Sequence, residues 1–139
     1  MIEMRECTVD DAPLLAEMHL QLVEDERADT QMDLAQMEVL MRERIAAEYR
    51  AFAFLESGRV VGYALCDMSR EPVYLRHFFI CRDARRKGYG RQAIQALLER
   101  LGIRTLDIEV YSWNERGVAF WSALGFETRC YAMRLKVGD

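Results

Sequence analysis

One stretch, from Val73 to Leu101, limits the folds open to this chain more than any other. Val73-Tyr74-Leu75-Arg76-His77-Phe78-Phe79-Ile80 is rich in aromatic and branched residues and predicts a strand. A basic loop punctuated by glycine follows, Arg85-Arg86-Lys87-Gly88-Tyr89-Gly90. Ile94, Leu97, Leu98 and Leu101 then recur at helical spacing, and Gly102 supplies the stop. Glycines let backbone approach a ligand closely and tolerate positive φ. Free amides at a helix start, aided by the helix dipole, favour a bound anion. With three cations inside the loop, the unit predicts a cradle for a phosphate-bearing ligand.

The charge pattern narrows that ligand. The chain has a net charge of −4 and a pI near 5.3, which argues against a general nucleic-acid binder. Yet residues 82–91 hold Arg82, Arg85, Arg86, Lys87 and Arg91 against Asp83 alone. Basic charge gathered at one loop of an acidic chain suits a small polyanion better than a long one. Cys7, Cys66, Cys81 and Cys130 are scattered without a CxxC pair, which predicts reduced thiols in a cytoplasmic protein. With His19 and His77 as the only histidines, no metal site is expected. No apolar run approaches the roughly 20 residues that span a bilayer, so no membrane association is expected. The segment Met1–Glu6 is too charged for a signal peptide. At 139 residues the expectation is a single domain, residues 1–139.

The rest of the chain supplies the remaining elements. Residues 2–7 read as a first strand. Thr8 and Asp11 form a capping box for a helix running to about Val23, with Leu15, Met18 and Leu22 on one face. An acidic loop, Glu24-Asp25-Glu26-Arg27-Ala28-Asp29, is expected to interrupt it. Asp33 and Gln36 cap a second helix, whose Met37, Leu40, Met41 and Ile45 share a face. Arg50–Leu55 and Val60–Asp67 make a hairpin about Ser57-Gly58. Thr105–Tyr111 alternates strictly and predicts another strand. Asn114 caps a short helix closed by Gly125, and a last strand is expected over Arg129–Val137, with Tyr131, Met133, Leu135 and Val137 on one face. The order β-α-α-β-β-β-α-β-α-β predicts an α/β fold built on a mixed sheet with helices on both faces.

This order and two of its motifs resemble the GNAT superfamily of N-acetyltransferases along essentially the whole chain. The loop Arg85–Gly90 matches that family's pyrophosphate pattern, [QR]-x-x-G-x-[GA], at every fixed position. Asn114 through Phe126, ending Phe120-Trp121-Ser122-Ala123-Leu124-Gly125-Phe126, is similar to the family's asparagine-capped helix. The resemblance implies that central strands four and five splay apart at a bulge and that acetyl-coenzyme A, the acetyl donor, lays its pantetheine arm in the gap. Phe78, Phe79 and Ile80 would face the arm. Arg85, Arg86, Lys87, Gly88, Tyr89, Gly90 and Arg91 would hold the pyrophosphate, and Asn114 and Trp121 complete the cofactor-facing set. The implied reaction is direct attack by a primary amine on the thioester, the acceptor being a small molecule or a peptide. Homodimers recur in the family, and the apolar last strand offers a surface for one.

Two departures mark the chemistry. Arg76 and His77 stand where the family often carries a carboxylate, and Trp121 stands where it often carries a tyrosine acid. An indole N–H donates but cannot act as a proton-transfer acid. His77 is therefore the first candidate base and Glu109 the second; Tyr111 and Tyr131 are candidate acids. A backbone N–H at a bulge near Phe79 or Ile80 is expected to meet the oxyanion. The carboxylates Glu24, Asp25, Glu26 and Asp29 are candidates for attracting a cationic acceptor. A non-catalytic acyl-coenzyme A binder of the same fold is the alternative.

Overall fold

The structure, a computed structural model, describes residues 1–138, which fall into two compact units, Met1–Glu109 and the segment from Val110 onward. The first unit is a five-stranded mixed sheet in the order β1-β2-β3-β4-β5. Its strands are β1 (Glu3–Glu6), β2 (Tyr49–Glu56), β3 (Arg59–Asp67), β4 (Val73–Ile80) and β5 (Leu106–Ile108). The first four pair antiparallel, and β5 runs parallel to β4. Helices α1 (Ala12–Glu26), α2 (Leu34–Ala46) and α3 (Tyr89–Leu101) complete it.

Local chemistry accounts for the element starts. Thr8 and Asp11 make a reciprocal capping box ahead of α1, and Asp33 with Gln36 does the same for α2. One face of the sheet packs Ala51, Ala53, Tyr63, Leu65 and Phe79 against Leu15, Met18 and Leu22 of α1 and Met41 of α2. The opposite face carries Phe52, with Arg100 of α3 over its ring, and Phe54, whose ring lies 5.9 Å from that of Phe78. The methionines of α2 thus serve as core, Met37 and Met41 being buried.

The expected element bounds need three corrections. First, α1 continues to Glu26 and ends at Arg27 in the left-handed region (φ 52°), so Glu24, Asp25 and Glu26 form a last helical turn rather than a loop. Acidic residues there oppose the helix dipole, but Arg82 and Arg85 supply the compensating charge. Second, β5 is confined to Leu106–Ile108, leaving Glu109 and Tyr111 outside any strand. Third, residues 129–137 form no strand. Alternation predicts a strand only where a partner pairs with it, and Tyr131, Met133, Leu135 and Val137 all stand exposed. The second unit contains α4 (Glu115–Ala123), begun as expected by Asn114, whose Oδ1 accepts from Gly117 N–H at 3.1 Å.

Candidate functional site

Strand β4 is interrupted where its register slips. Leu65 pairs with His77 and Cys66 with Leu75, so Arg76 is an extra residue, a bulge. The bulge lies earlier than expected, at Arg76 rather than near Phe79 or Ile80. Pairing with β5 also ends there: Val73, Tyr74 and Leu75 are matched to Leu106, Asp107 and Ile108, and no described strand pairs with the β5 side of β4 beyond Leu75. The strands thus part at the bulge. Cys81 N–H donates to Val61 O of β3 at 2.7 Å. By the two-residue period of a strand, Phe79 N–H points the same way, while the backbone groups of Phe78 and Ile80 point to the open edge. The Ile80 carbonyl on that edge accepts from Arg85 Nε at 2.7 Å.

The loop after β4 is built to hold its amides bare. Gly88 is the N-cap of α3 at φ +78°, with no side-chain cap, and a Cβ there would meet nothing within 4 Å. The N–H groups of Tyr89, Gly90 and Arg91 precede the first helical bond, Gln92 N–H to Gly88 O. Arg86 also lies in the left-handed region (φ 66°), and Lys87 leans over the Tyr89 ring. Arg86, Lys87 and Gly88 are exposed.

The basic loop and the acidic helix end, read separately in the sequence, meet. Asp25 accepts from Arg82 Nε at 2.9 Å and pairs with the Arg85 guanidinium, while Glu24 lies 3.5 Å from Arg82. Burial pushes the Asp25 carboxyl up, but the bonds from Arg85 and Arg82 outweigh it and hold the group below its ordinary value. Arg85 therefore braces the loop, and Asp25 is engaged by two cations. Glu26 is half-buried, and burial, with the adjacent Asp25, raises its pKa. Asp29 is exposed beyond the helix.

His77 points to the α1 face. Its Nδ1 lies 3.1 Å from the Tyr63 hydroxyl, and its ring stacks on His19 of α1 at 4.2 Å between centroids. Burial, then His19, Arg44 and Arg76, push the His77 pKa well below 6.5. Burial lowers His19 to about 4, and its Nδ1 is buried without a hydrogen-bond partner among the described residues. Tyr63 is fully buried, and burial, then Glu26, raises its pKa, so its phenol stays protonated. Phe79 packs in the core beneath the Arg85 guanidinium, whose carbon lies 5.3 Å from the ring centroid. Of the other sequence candidates, Glu109 is exposed; burial raises the pKa of Tyr74, and Glu109 raises it further. In the second unit, Tyr111 stacks on Trp113 at 4.5 Å, Trp121 meets Phe120 and Phe126 edge-on, and Tyr131 is 84% exposed.

Sequence reasoning missed three members of this region. His19 and Tyr63 carry no motif and show themselves only through contact with His77. Gly62 did carry a signal, a glycine inside a strand. A Cβ at Gly62 would stand 2.2 Å from Phe79 O, so only glycine lets β3 lie this close to the end of β4. Among the described residues, no group of three or more His, Cys, Asp and Glu side chains is placed to hold a metal ion, and no helix is long and apolar enough to cross a membrane.

Comparison with known proteins agrees with this geometry. Residues 14–126 match the model of the acetyltransferase (GNAT) family. The [ribosomal protein bS18]-alanine N-acetyltransferase of Escherichia coli K12 is 28% identical over 81 residues, a stretch spanning 56% of this chain and only 55% of that relative's length. A possible acetyltransferase of Clostridium difficile 630 superposes with a TM-score of 0.78 at 16% identity, covering 100% of this chain and 99% of its own. A predicted acetyltransferase of Clostridium acetobutylicum, solved with acetyl-CoA, superposes at 0.74 with 12% identity, covering 98% of this chain and 96% of its own. At those identities the two structures speak to the fold alone.

Proposed function

We propose that this chain, which belongs to the GNAT acetyltransferase family, moves an acetyl group from acetyl-coenzyme A to a primary amine by direct attack. The observation that carries this is the open edge of β4, which runs from the bulge at Arg76 straight to the bare amides of α3. An extended amide-bearing arm bonds to the backbone of Phe78 and Ile80 as a further strand would. The pyrophosphate sits on the amides of residues 88–91, with Arg86, Lys87 and Arg91 adding charge. Arg85, tied to Asp25, acts as a brace. Acetyl-coenzyme A supplies the thioester, whose carbon–sulfur bond breaks as the amine nitrogen bonds to the carbonyl carbon. The outward N–H of Phe78 or Ile80 meets the oxygen as charge develops on it.

The acceptor follows from the weakness of the base. A lysine-like ammonium costs about 4.5 kcal/mol to deprotonate at neutral pH, a peptide α-ammonium only about 1 kcal/mol. His77, depressed by burial and three cationic or imidazole neighbours, is a feeble proton acceptor. It suits the second task and not the first. In the tautomer whose Nδ1–H donates to the Tyr63 oxygen, Nε2 offers its lone pair to the amine proton. Asp25, already paired, is poorly placed to recruit a polycation. A peptide α-amine is therefore favoured over a polyamine, in keeping with the alanine acceptor named for the Escherichia coli relative. Glu109 is the reserve base.

The test is free-thiol release from acetyl-coenzyme A over a panel of peptides and small amines, with acetyl-coenzyme A binding followed by calorimetry. Gly88→Asp places a carboxylate at the cradle and should weaken cofactor binding by at least about 100-fold. His77→Gln should lower kcat by about 100-fold at pH 7 and by less at pH 9, where more amine is already neutral. Cofactor binding without thiol release for any amine would leave a non-catalytic binder. An unchanged ratio across pH would remove His77 as base.

A further inference from the structure

Arg44 and Arg76 both approach the ring of Tyr49. Arg44 sits in the last turn of α2, and its guanidinium carbon lies 5.4 Å from the Tyr49 ring centroid. Arg76, the bulge residue, lies 5.7 Å from the same centroid and donates from Nε to the Tyr49 hydroxyl at 2.8 Å. Both are half-buried, and neither takes part in any ion pair among the described residues. Most other arginines of the first unit do: Arg5, Arg42, Arg50, Arg59, Arg70, Arg82, Arg85 and Arg100 each meet an acid.

Bringing two half-buried guanidinium groups together is unfavourable unless an anion joins them. Burial and then the charge of Arg76 depress the Arg44 pKa. A helix C-terminus explains one cation at Arg44. It does not explain a second, re-aimed by a bulge onto the same ring. Asp67, whose charge acts on Arg44, is already engaged by Ser69 at 2.5 Å, by Arg70 at 3.4 Å and by the side chain of Tyr49. The pair also lies where chemistry is expected. Arg76 is the first β4 residue past the last β5 pair, and the charges of both arginines reach His77.

We propose that Arg44 and Arg76 bind a carboxylate of the acceptor, and that the preferred substrate is a peptide whose α-amine is followed within its first few residues by an Asp or Glu side chain. This rests on the acetyltransferase function argued above and adds to it the charge of the acceptor. A single carboxylate fits better than a phosphate dianion, because Asp67 already contributes one negative charge nearby. The acceptor's acidic side chain is held between the two guanidinium forks and its amine is directed along β4 toward His77.

The test uses the full chain and short peptides that differ only by Glu against Gln, or Asp against Asn, at positions one to three, with a phosphoserine peptide as a further arm. Thiol release should favour an acidic peptide over its amide by about tenfold or more in kcat/KM, chiefly through KM. Arg44→Met and Arg76→Met should each collapse that ratio toward one, and Arg44→Lys should restore part of it. Acetyl-coenzyme A affinity, read separately by calorimetry, should stay within about twofold in Arg44→Met, and a folded variant is confirmed by the same measurement. Equal rates on the acidic and amide peptides, a preference for basic ones, or a stronger preference for phosphoserine would overturn the assignment while leaving the acetyltransferase intact. If no amine of any kind releases thiol, it is the underlying function that fails.

Discussion

His19 offers a test of the packing beneath the site that needs no substrate. His19 is 6% exposed, its ring stacks on His77, and its Nδ1 has no hydrogen-bond partner among the described residues. Burial, with a smaller contribution from Arg44, lowers its pKa to about 4. A histidine depressed in the folded state binds fewer protons there than in the unfolded chain, so stability rises with pH across the window between the two values. It is lost as pH falls from about 6.5 toward about 4. From about pH 7.5 to about pH 5 the unfolded chain gains nearly a full proton at this site and the folded chain little, a difference worth about 2 kcal/mol. Few carboxylates interfere, since those held low by arginines, such as Asp25, titrate below this window. Glu26, whose pKa is raised, works in the opposite direction and is common to both proteins compared. Urea unfolding of the wild type and of His19→Leu at the two pH values isolates the effect. The wild type should lose about 2 kcal/mol more than the variant on acidification, whatever the variant's stability at neutral pH. Equal losses would show that His19 titrates as if exposed, and the account of a dry α1–β4 interface would be wrong.

Two further perturbations probe how the cradle is held. Gly62→Ala puts a methyl against the Phe79 carbonyl at 2.2 Å and should cost about 3 kcal/mol or more in urea unfolding, because backbone must move to admit it. A loss under about 1 kcal/mol would mean that β3 and β4 are not tightly apposed there. Asp25→Asn should lower Tm by about 2–4 °C at low ionic strength, with the difference shrinking at high salt, since its partners are partly exposed. The same variant should weaken acetyl-coenzyme A binding, because Arg85 loses the carboxylate that fixes it over the Ile80 carbonyl.

The parts of the fold that were legible in the sequence are those fixed by neighbours along the chain. Capping boxes at Thr8 and Asp33, the turn at Ser57-Gly58 and the stop at Gly102 all depend on a few adjacent residues, and all are found where expected. The loop from Arg85 to Gly90 belongs to this class too, since its glycine and helix start are local. The errors arise where a distant partner decides. The acidic run from Glu24 has poor prospects as a helix end until cations from residues 82 and 85 arrive. The alternating stretch from Arg129 is a strand only if something pairs with it. The bulge at Arg76 is a mismatch between two strands, so neither strand alone records it. For the same reason His77 was visible as an imidazole on a central strand, but its depressed pKa, set by burial and then by His19 and two arginines, was not.

The loop's five cations divide into two kinds of work, and the division explains why the loop needs so many. Arg82 and Arg85 spend their charge inside the protein, on Asp25, and Arg85 also closes the last carbonyl on the open edge of β4. Arg86, Lys87 and Arg91 form no ion pair among the described residues and stay exposed at the start of α3. A cradle made only of free cations would repel itself and leave the backbone disordered until an anion arrived. A cradle with every cation paired would have nothing left to offer a diphosphate. Pairing the two nearest the strand fixes the backbone, so the amides of residues 89–91 are already aimed when ligand comes, and the ordering cost is met in folding rather than in binding. On the proposed function, the acidic end of α1 is the counterweight of the loop rather than bait for a cationic substrate.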